Sequence, residues 1–102
     1  MAIIEISVMP LGTGTPSLSK FVAGAVKVLQ EEKNVKYEMT SMGTNIEGDL
    51  EQLLGLARRM HLSAFDAGAQ RVVTTIKIDE RRDQVATMQS KVASVKRELG
   101  KA

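Results

Sequence analysis

Hydrophobic residues alternate with polar ones in four short segments, and this period of two is typical of β-strands with one face in a core. The segments cover residues 2–9, 35–41, 43–48 and 70–79. Pro10 is expected to end the first strand, because proline has no N–H group for a sheet ladder. The last segment has two distinct faces. Its less polar set is Val72, Thr74, Ile76 and Ile78, and its more polar set is Arg71, Val73, Thr75, Lys77 and Asp79.

Three other segments carry apolar residues at steps of three and four, which predicts amphipathic helices over residues 16–33, 49–67 and 82–99. Thr15 followed by Pro16, or Ser17 alone, is a candidate cap for the first helix. Asp49 and Gln52 have the spacing of a capping box at the start of the second.

The resulting order, βαββαβα, places two βαβ halves on either side of a hairpin. This order predicts an α+β fold, a ferredoxin-like plait with a four-stranded antiparallel sheet, two helices on one face and an additional C-terminal helix. We expect a single domain over residues 1–102. The third helix must bury its apolar stripe against the open sheet face, the helix layer or another subunit. The stripe consists of Val85, Met88, Val92, Val95 and Leu99.

Composition narrows the range of functions. The chain of 102 residues has no cysteine, which excludes a disulfide framework, a zinc–thiolate site and a thiol nucleophile. No apolar run approaches about 18 residues, and Glu5 interrupts the N-terminal segment, so we expect a soluble cytoplasmic protein with no membrane partner. A net charge of +2 gives no general attraction to nucleic acid.

The loop over residues 12–17 is the first candidate site, because it joins a strand to a helix N-terminus where backbone N–H groups can hold an anion. Ser17 and Ser19 could add hydroxyl contacts to a ligand. The loop lacks the Gly-Lys-Ser/Thr of a P-loop and the full Gly-x-Gly-x-x-Gly spacing. An ordinary capped turn is the alternative interpretation.

The segment over residues 44–49 is the second candidate, with Thr44 and Glu47 beside Gly48. The Glu47 carboxylate could accept hydrogen bonds from an aminopyrimidine or hold a cation. The alternative is a surface carboxylate that the helix dipole stabilises slightly. Lys77 could bind an anionic group of a ligand, or it could join Arg71 and Asp79 in a cross-strand ion-pair system.

Catalysis has little support in the sequence. His61 is the only histidine, and spacing gives it no acidic partner. No Ser-His-Asp set or metal cluster can be assembled. General acid–base chemistry by Glu47 and Asp79 would require them to be neighbours, which nothing in the sequence indicates. We therefore expect no enzyme activity, no metal and no cofactor.

Four spaced motifs resemble the small thiamine-binding-protein family, which is related to the YkoF-type hydroxymethylpyrimidine/thiamine-binding proteins. They are Pro10-Leu11-Gly12-Thr13 with Ser17-x-Ser19, Met42-Gly43-Thr44-x-Ile46-Glu47-Gly48, Arg71-Val72-x-Thr74-x-Ile76-Lys77-Ile78-Asp79-x-Arg81, and Lys91-Val92-x-x-Val95. The resemblance implies a ferredoxin-like fold, a homo-oligomer that is commonly a tetramer, and no established catalysis. The YkoF-type relatives have two such units per chain, whereas this chain looks like the stand-alone form.

We accordingly expect a non-catalytic protein that binds thiamine or its hydroxymethylpyrimidine moiety between the sheet and the loop after strand one. The candidate ligand-binding residues are Ser17, Ser19, Tyr37, Thr44, Glu47 and Lys77, with Tyr37 and Glu47 the groups available to a thiazolium cation. A structural or regulatory oligomer without such a ligand is the main alternative. An RNA-binding plait is disfavoured because the chain has only three aromatic residues, and an acylphosphatase-type enzyme because residues 11–17 contain no arginine.

Overall fold

Four strands and three helices make up the part of the chain that the computed structural model describes, which is residues 1–14, 18–83 and 86–101. In chain order they are β1 (Ala2–Leu11), α1 (Ser19–Gln30), β2 (Lys36–Met39), β3 (Thr44–Gly48), α2 (Leu50–Asp66), β4 (Arg71–Glu80) and α3 (Met88–Gly100). All strand pairs are antiparallel, and the sheet order is β2-β3-β1-β4. The predicted α+β class and ferredoxin-like plait with a C-terminal helix are confirmed.

The core lies between the sheet and the two helices that cover one of its faces. Ile4 and Ile6 of β1 and Ile46 of β3 are buried on the helix-facing side. Leu29 of α1 and Leu53 of α2 are buried against them in the same apolar cluster. The period of two in the strands and the helical period in α1 and α2 therefore meet in one core.

β1 passes through Pro10 and ends at Leu11, so the predicted end before Pro10 was two residues too early. β4 pairs with β1 along its whole length, but β3 pairs with it only as far as Ile6↔Thr44. The Ile6 carbonyl points toward β3, because a Cβ built on Gly43 would lie 2.9 Å from the Ile6 oxygen. Main-chain groups alternate between the two edges of a strand. The Pro10 nitrogen, which carries no hydrogen, therefore faces the edge of β1 beyond the end of β3. No hydrogen bond of the sheet is lost there.

Side-chain caps set where α2 and α3 begin. Asp49 accepts a hydrogen bond from the Gln52 N–H at 3.4 Å, as the capping-box spacing predicted. α3 begins at Met88, later than predicted, because Thr87 and Ser90 form a reciprocal capping box. The predicted caps of α1, at residues 15–17, lie outside the described residues.

α3 is attached to the sheet at its N-terminal end. Met88 is its one buried residue, and Lys91 forms an ion pair with Asp79 of β4. Val92, Val95 and Leu99 are 51%, 59% and 69% exposed, and we call these three residues the α3 stripe. The expected burial of this stripe is thus not achieved within the described part of one chain. Within that part, no helix is both long and apolar enough to span a membrane.

Candidate functional site

A cavity of about 220 Å³ opens between β1, α1 and the turn that joins β2 to β3. Strand β1 and the N-terminal half of α1 form its sides, the turn forms its outer wall, and α2 contributes one residue. The lining residues are Ile6, Ser7, Val8, Met9, Leu18, Val22, Ala25, Met39, Thr40, Ser41, Met42, Gly43, Thr44 and Met60. The cavity lies against the sheet, as predicted, but the described part of the loop after strand one does not line it, since Gly12 and Thr13 line a separate cleft instead.

The turn over residues 40–43 is held by its own hydrogen bonds. The Thr40 hydroxyl accepts the N–H groups of Met42 and Gly43 at 3.2 and 3.1 Å, and the Thr40 N–H donates to the Gly43 carbonyl at 2.8 Å. Gly43 passes so close to the Ile6 carbonyl that any side chain there would collide with it. The turn is therefore fixed against β1, and it holds Met42 beside the cavity.

Four methionine residues line the cavity. Met60 is buried in the core, whereas Met9, Met39 and Met42 are exposed. Thioether side chains are flexible and polarizable, and they make favourable contacts with aromatic rings. We call the three exposed residues, Met9, Met39 and Met42, the methionine rim. Such a lining suits a flat aromatic ring better than a strongly hydrated anion.

Thr44 supplies the buried polar side chain of the cavity. It is 5% exposed and lies on the helix-facing side of β3, opposite Ile6. Its hydroxyl forms no hydrogen bond to any of the described residues. Ser41 of the turn also lines the cavity, so a ligand would meet a few hydroxyl groups in an otherwise apolar space.

The other predicted site residues do not gather around this cavity. Ser17 lies outside the described residues, and Ser19 is the exposed first residue of α1, next to the lining residue Leu18. Tyr37 is half-buried on the helix-facing side of β2, where it pairs with Ile46 and packs against the core.

Glu47 belongs to a second site, on the opposite face of the sheet. Its side chain is buried, and its Oε1 accepts the Met88 N–H at 3.2 Å, at the first residue of α3. Glu47 and Tyr37 both line a cleft of about 480 Å³ at the outer edge of β2, together with Thr87. The carboxylate thus already serves as an acceptor for the start of a helix, where the helix dipole favours a negative charge.

Lys77 lies exposed on the same face as Glu47, opposite Glu5 in the β1–β4 ladder. Neither Lys77 nor Arg71 forms an ion pair with any of the described residues, and Asp79 pairs with Lys91 of α3 instead. The predicted cross-strand ion-pair system is therefore wrong, because α3 takes its acidic member.

The remaining polar contacts are structural. The Nδ1 atom of His61 lies 2.6 Å from the Thr74 hydroxyl, and the His61 ring meets Phe65 edge to face. Arg81 donates two hydrogen bonds to Asp83, and this pairing raises the pKa of the Arg81 guanidinium above its ordinary value. No set of three or more potential metal ligands occurs among the residues that the structure describes.

Of the predicted ligand-binding residues that the structure describes, Thr44 alone lines the cavity, and the sequence did not point to the methionine rim. The available signal was Met39 and Met42 near the predicted hairpin turn, together with Met9 at the end of the first predicted strand. Nothing local in the sequence shows that these residues meet, because the contact depends on the pairing of β3 with β1.

Comparison with known proteins gives one family for nearly the whole chain. A family described as "Thiamine-binding protein" matches residues 4–96. The UPF0045 protein YqgV of Bacillus subtilis is 43% identical over 102 residues, which cover 97% of this chain and 98% of that protein. A UPF0045 protein of Methanothermobacter thermautotrophicus is 44% identical over 100 residues, which cover 97% and 100% of the two chains.

Solved structures have the same fold. The crystal structure of hypothetical protein MJ1052 from Methanocaldococcus jannaschii matches with a TM-score of 0.85 and 35% identity, over 92% of this chain and 94% of that one. A candidate thiamine biosynthesis/salvage protein from Thermotoga maritima matches with a TM-score of 0.74 over 92% and 97% of the two chains. The identity to the Thermotoga protein is 22%, so that likeness concerns the fold alone.

Proposed function

Because the chain belongs to the thiamine-binding protein family, we propose that it is a non-catalytic binding protein for thiamine or its hydroxymethylpyrimidine moiety. The observation that carries the proposal is the cavity of about 220 Å³ beside β1, with apolar walls, a methionine rim and the hydroxyl of the buried residue Thr44. Pockets for drug-sized ligands usually measure about 300–1,000 Å³. The smaller cavity favours one enclosed ring, with the rest of thiamine extending through the mouth.

The character of the lining supports binding rather than catalysis. None of the described residues that line the cavity has a titratable side chain. General acid–base chemistry requires such a group within hydrogen-bond reach of the reacting atoms. In this proposal the protein retains or delivers its ligand unchanged.

Isothermal calorimetry tests the proposal with hydroxymethylpyrimidine, thiamine and the thiazole moiety alone. We expect the first two to bind and the thiazole to give no heat. Val22 lines the cavity from α1 and is partly exposed, so Val22→Trp should fill the cavity and abolish binding without disturbing the core. Ala23→Trp is the matched control, because the neighbouring Ala23 is exposed and does not line the cavity. The absence of heat with both pyrimidine ligands at millimolar concentration would reject the proposal.

We further propose that the protein acts as a homo-oligomer. Leu54, Phe65, Ile76 and Ile78 are 40–48% exposed along β4 and the adjoining face of α2, and we call them the edge patch. β4 is a ten-residue strand at the edge of the sheet. A long apolar edge strand invites pairing with another chain. Antiparallel pairing of β4 with β4 of a second copy would cover the edge patch.

The α3 stripe is a second apolar surface, on the other face of the sheet from the edge patch. Two different self-complementary contacts generate a closed tetramer of paired dimers. Light scattering should therefore give a mass near four times the chain mass of 11.1 kDa. Ile78→Glu and Val95→Glu should each halve that mass, whereas Gln30→Glu on the exposed side of α1 should not change it. A wild-type mass near 11.1 kDa at micromolar concentration would exclude the oligomer.

A structural or regulatory oligomer without a thiamine-related ligand is the second candidate function. It is favoured by the edge patch and the α3 stripe, which are independent of the cavity. A thermal-shift titration separates the two functions, because a ligand that binds only the native state stabilises it by RT ln(1 + [L]/Kd). A melting temperature that does not move with hydroxymethylpyrimidine would favour the structural role.

A further inference from the structure

β1 is longer than its neighbour β3, and the difference leaves a short stretch of free strand edge inside the sheet. β3 ends its pairing with β1 at Ile6↔Thr44, whereas β4 continues along β1 to Leu11. The Ile6 carbonyl points toward β3. Main-chain groups alternate along a strand, so both main-chain groups of Val8 point to the same edge, beyond the end of β3.

The Val8 N–H and C=O have no hydrogen-bond partner among residues 1–14, 18–83 and 86–101. In the turn that faces them, the N–H groups of Met42 and Gly43 are bonded to the Thr40 hydroxyl, and the Gly43 carbonyl accepts the Thr40 N–H. Pro10, the next residue along this edge, has no N–H to offer. Val8 itself lines the cavity. The cavity wall therefore presents one donor and one acceptor side by side, and backbone groups in such places nearly always have a partner.

We infer that this free edge at Val8 reads the aminopyrimidine edge of the ligand, an inference that rests on the proposed function. The Val8 N–H donates to a ring nitrogen, and the exocyclic amino group next to that nitrogen donates to the Val8 carbonyl. The ring nitrogen and the amino group of an aminopyrimidine thus offer an acceptor and a donor in one plane, as the main chain of a neighbouring strand would. The Thr44 hydroxyl, on the same cavity, is available to a third polar atom of the ligand.

The exocyclic amino group of the pyrimidine then determines which ligands bind tightly. A bound pyrimidine that lacks the amino group would cover the Val8 carbonyl without giving it a hydrogen-bond partner. An unpaired buried acceptor of this kind lowers affinity by about tenfold or more. The thiazole moiety has no donor next to its ring nitrogen, so it cannot make the same pair of bonds.

Amide hydrogen exchange measured by NMR on the unmodified protein tests the inference. Hydroxymethylpyrimidine and its analogue without the amino group are the two ligands, and calorimetry gives their affinities. With hydroxymethylpyrimidine at saturation, the Val8 amide should exchange at least about tenfold more slowly than in the free protein. Ile6 and Met9 are control amides, because their N–H groups already point to β3 and β4 and should change little.

The outcomes separate this inference from the proposed function. Protection of Val8, together with binding of the analogue about tenfold more weakly, supports the inference. Binding of hydroxymethylpyrimidine without protection of Val8, or equal affinity for the analogue, overturns the inference and leaves the proposed function standing. Protection of Val8 without ligand, rising with protein concentration, would instead assign the edge to a strand of a second copy and also overturn it. The absence of any binding rejects the proposed function, and the inference falls with it.

Discussion

Replacing Glu47 by alanine should loosen α3 from the sheet and leave the cavity beside β1 intact. The Glu47 carboxylate is 5% exposed, and its Oε1 accepts the N–H of Met88, the first residue of α3. α3 has few other attachments, namely the buried Met88 side chain and the exposed ion pair of Lys91 with Asp79. An exposed ion pair contributes only about 0–1 kcal/mol, so the Glu47 hydrogen bond is a main anchor.

The expected loss of stability follows from these contacts. Glu47→Ala leaves the Met88 N–H without its partner, which costs about 1–3 kcal/mol, although removal of a buried charge offsets part of this loss. We therefore expect a decrease of about 1–2 kcal/mol in the free energy of unfolding. For a domain of this size that decrease lowers the melting temperature by about 5–15 °C. Glu47→Gln keeps an acceptor and should lose only the interaction of the charge with the helix dipole, about 0.3–1 kcal/mol.

Urea unfolding measures the stability of both variants, and amide exchange over α3 shows whether the helix is released. In Glu47→Ala the α3 amides should exchange faster, while those of α1 remain as in the parent protein. Affinity for hydroxymethylpyrimidine should stay within about twofold, because Glu47 does not line the cavity. Lost ligand binding with unchanged α3 protection would refute this reasoning and restore Glu47 as a ligand-binding residue.

Three further variants test the cavity and the core. Thr44→Val should weaken hydroxymethylpyrimidine binding about 3- to 10-fold in calorimetry with little change in melting temperature, and an unchanged affinity would exclude the hydroxyl from the site. Gly43→Ala places a Cβ 2.9 Å from a β1 carbonyl oxygen and should destabilise the protein by about 1–3 kcal/mol in urea, whereas Gly24→Ala, with no atom within 4 Å of the new Cβ, should not. Leu53→Ala, at a fully buried position, should cost about 2–5 kcal/mol, against less than about 1 kcal/mol for the partly exposed Leu62→Ala, and equal costs would contradict the assigned core.

The strand pattern of β4 shows how far the sequence predicts this fold. The alternation placed Ile76 and Ile78 on one face, and the register confirms it, since they lie opposite Ile6 and Ile4. The two side chains are nevertheless not buried, and they remain 42% and 48% exposed. Periodicity reports the direction of a side chain, whereas burial depends on whether a helix reaches the edge of the sheet.

The start of α3 and the candidate site show what local patterns could not predict. Apolar spacing continued from Val85 across Thr87, although Thr87 is the residue that caps the helix. Thr44 could be nominated from its motif, and the structure places it in the cavity. The free edge at Val8 could not be predicted, because it is a property of two strands and of the residue at which their pairing stops.

The short β3 has a consequence for how such a protein can change over evolution. Its length sets how much of β1 stays unpaired. A hairpin with β3 longer by two residues would pair the main-chain groups of Val8 and leave the core unchanged. A hairpin with β3 shorter by two residues would expose the main-chain groups of Ile6, whereas Ile4 would stay paired with Ile46. The length of free edge on β1 can therefore change through insertions and deletions at one hairpin, with no substitution in the hydrophobic interior.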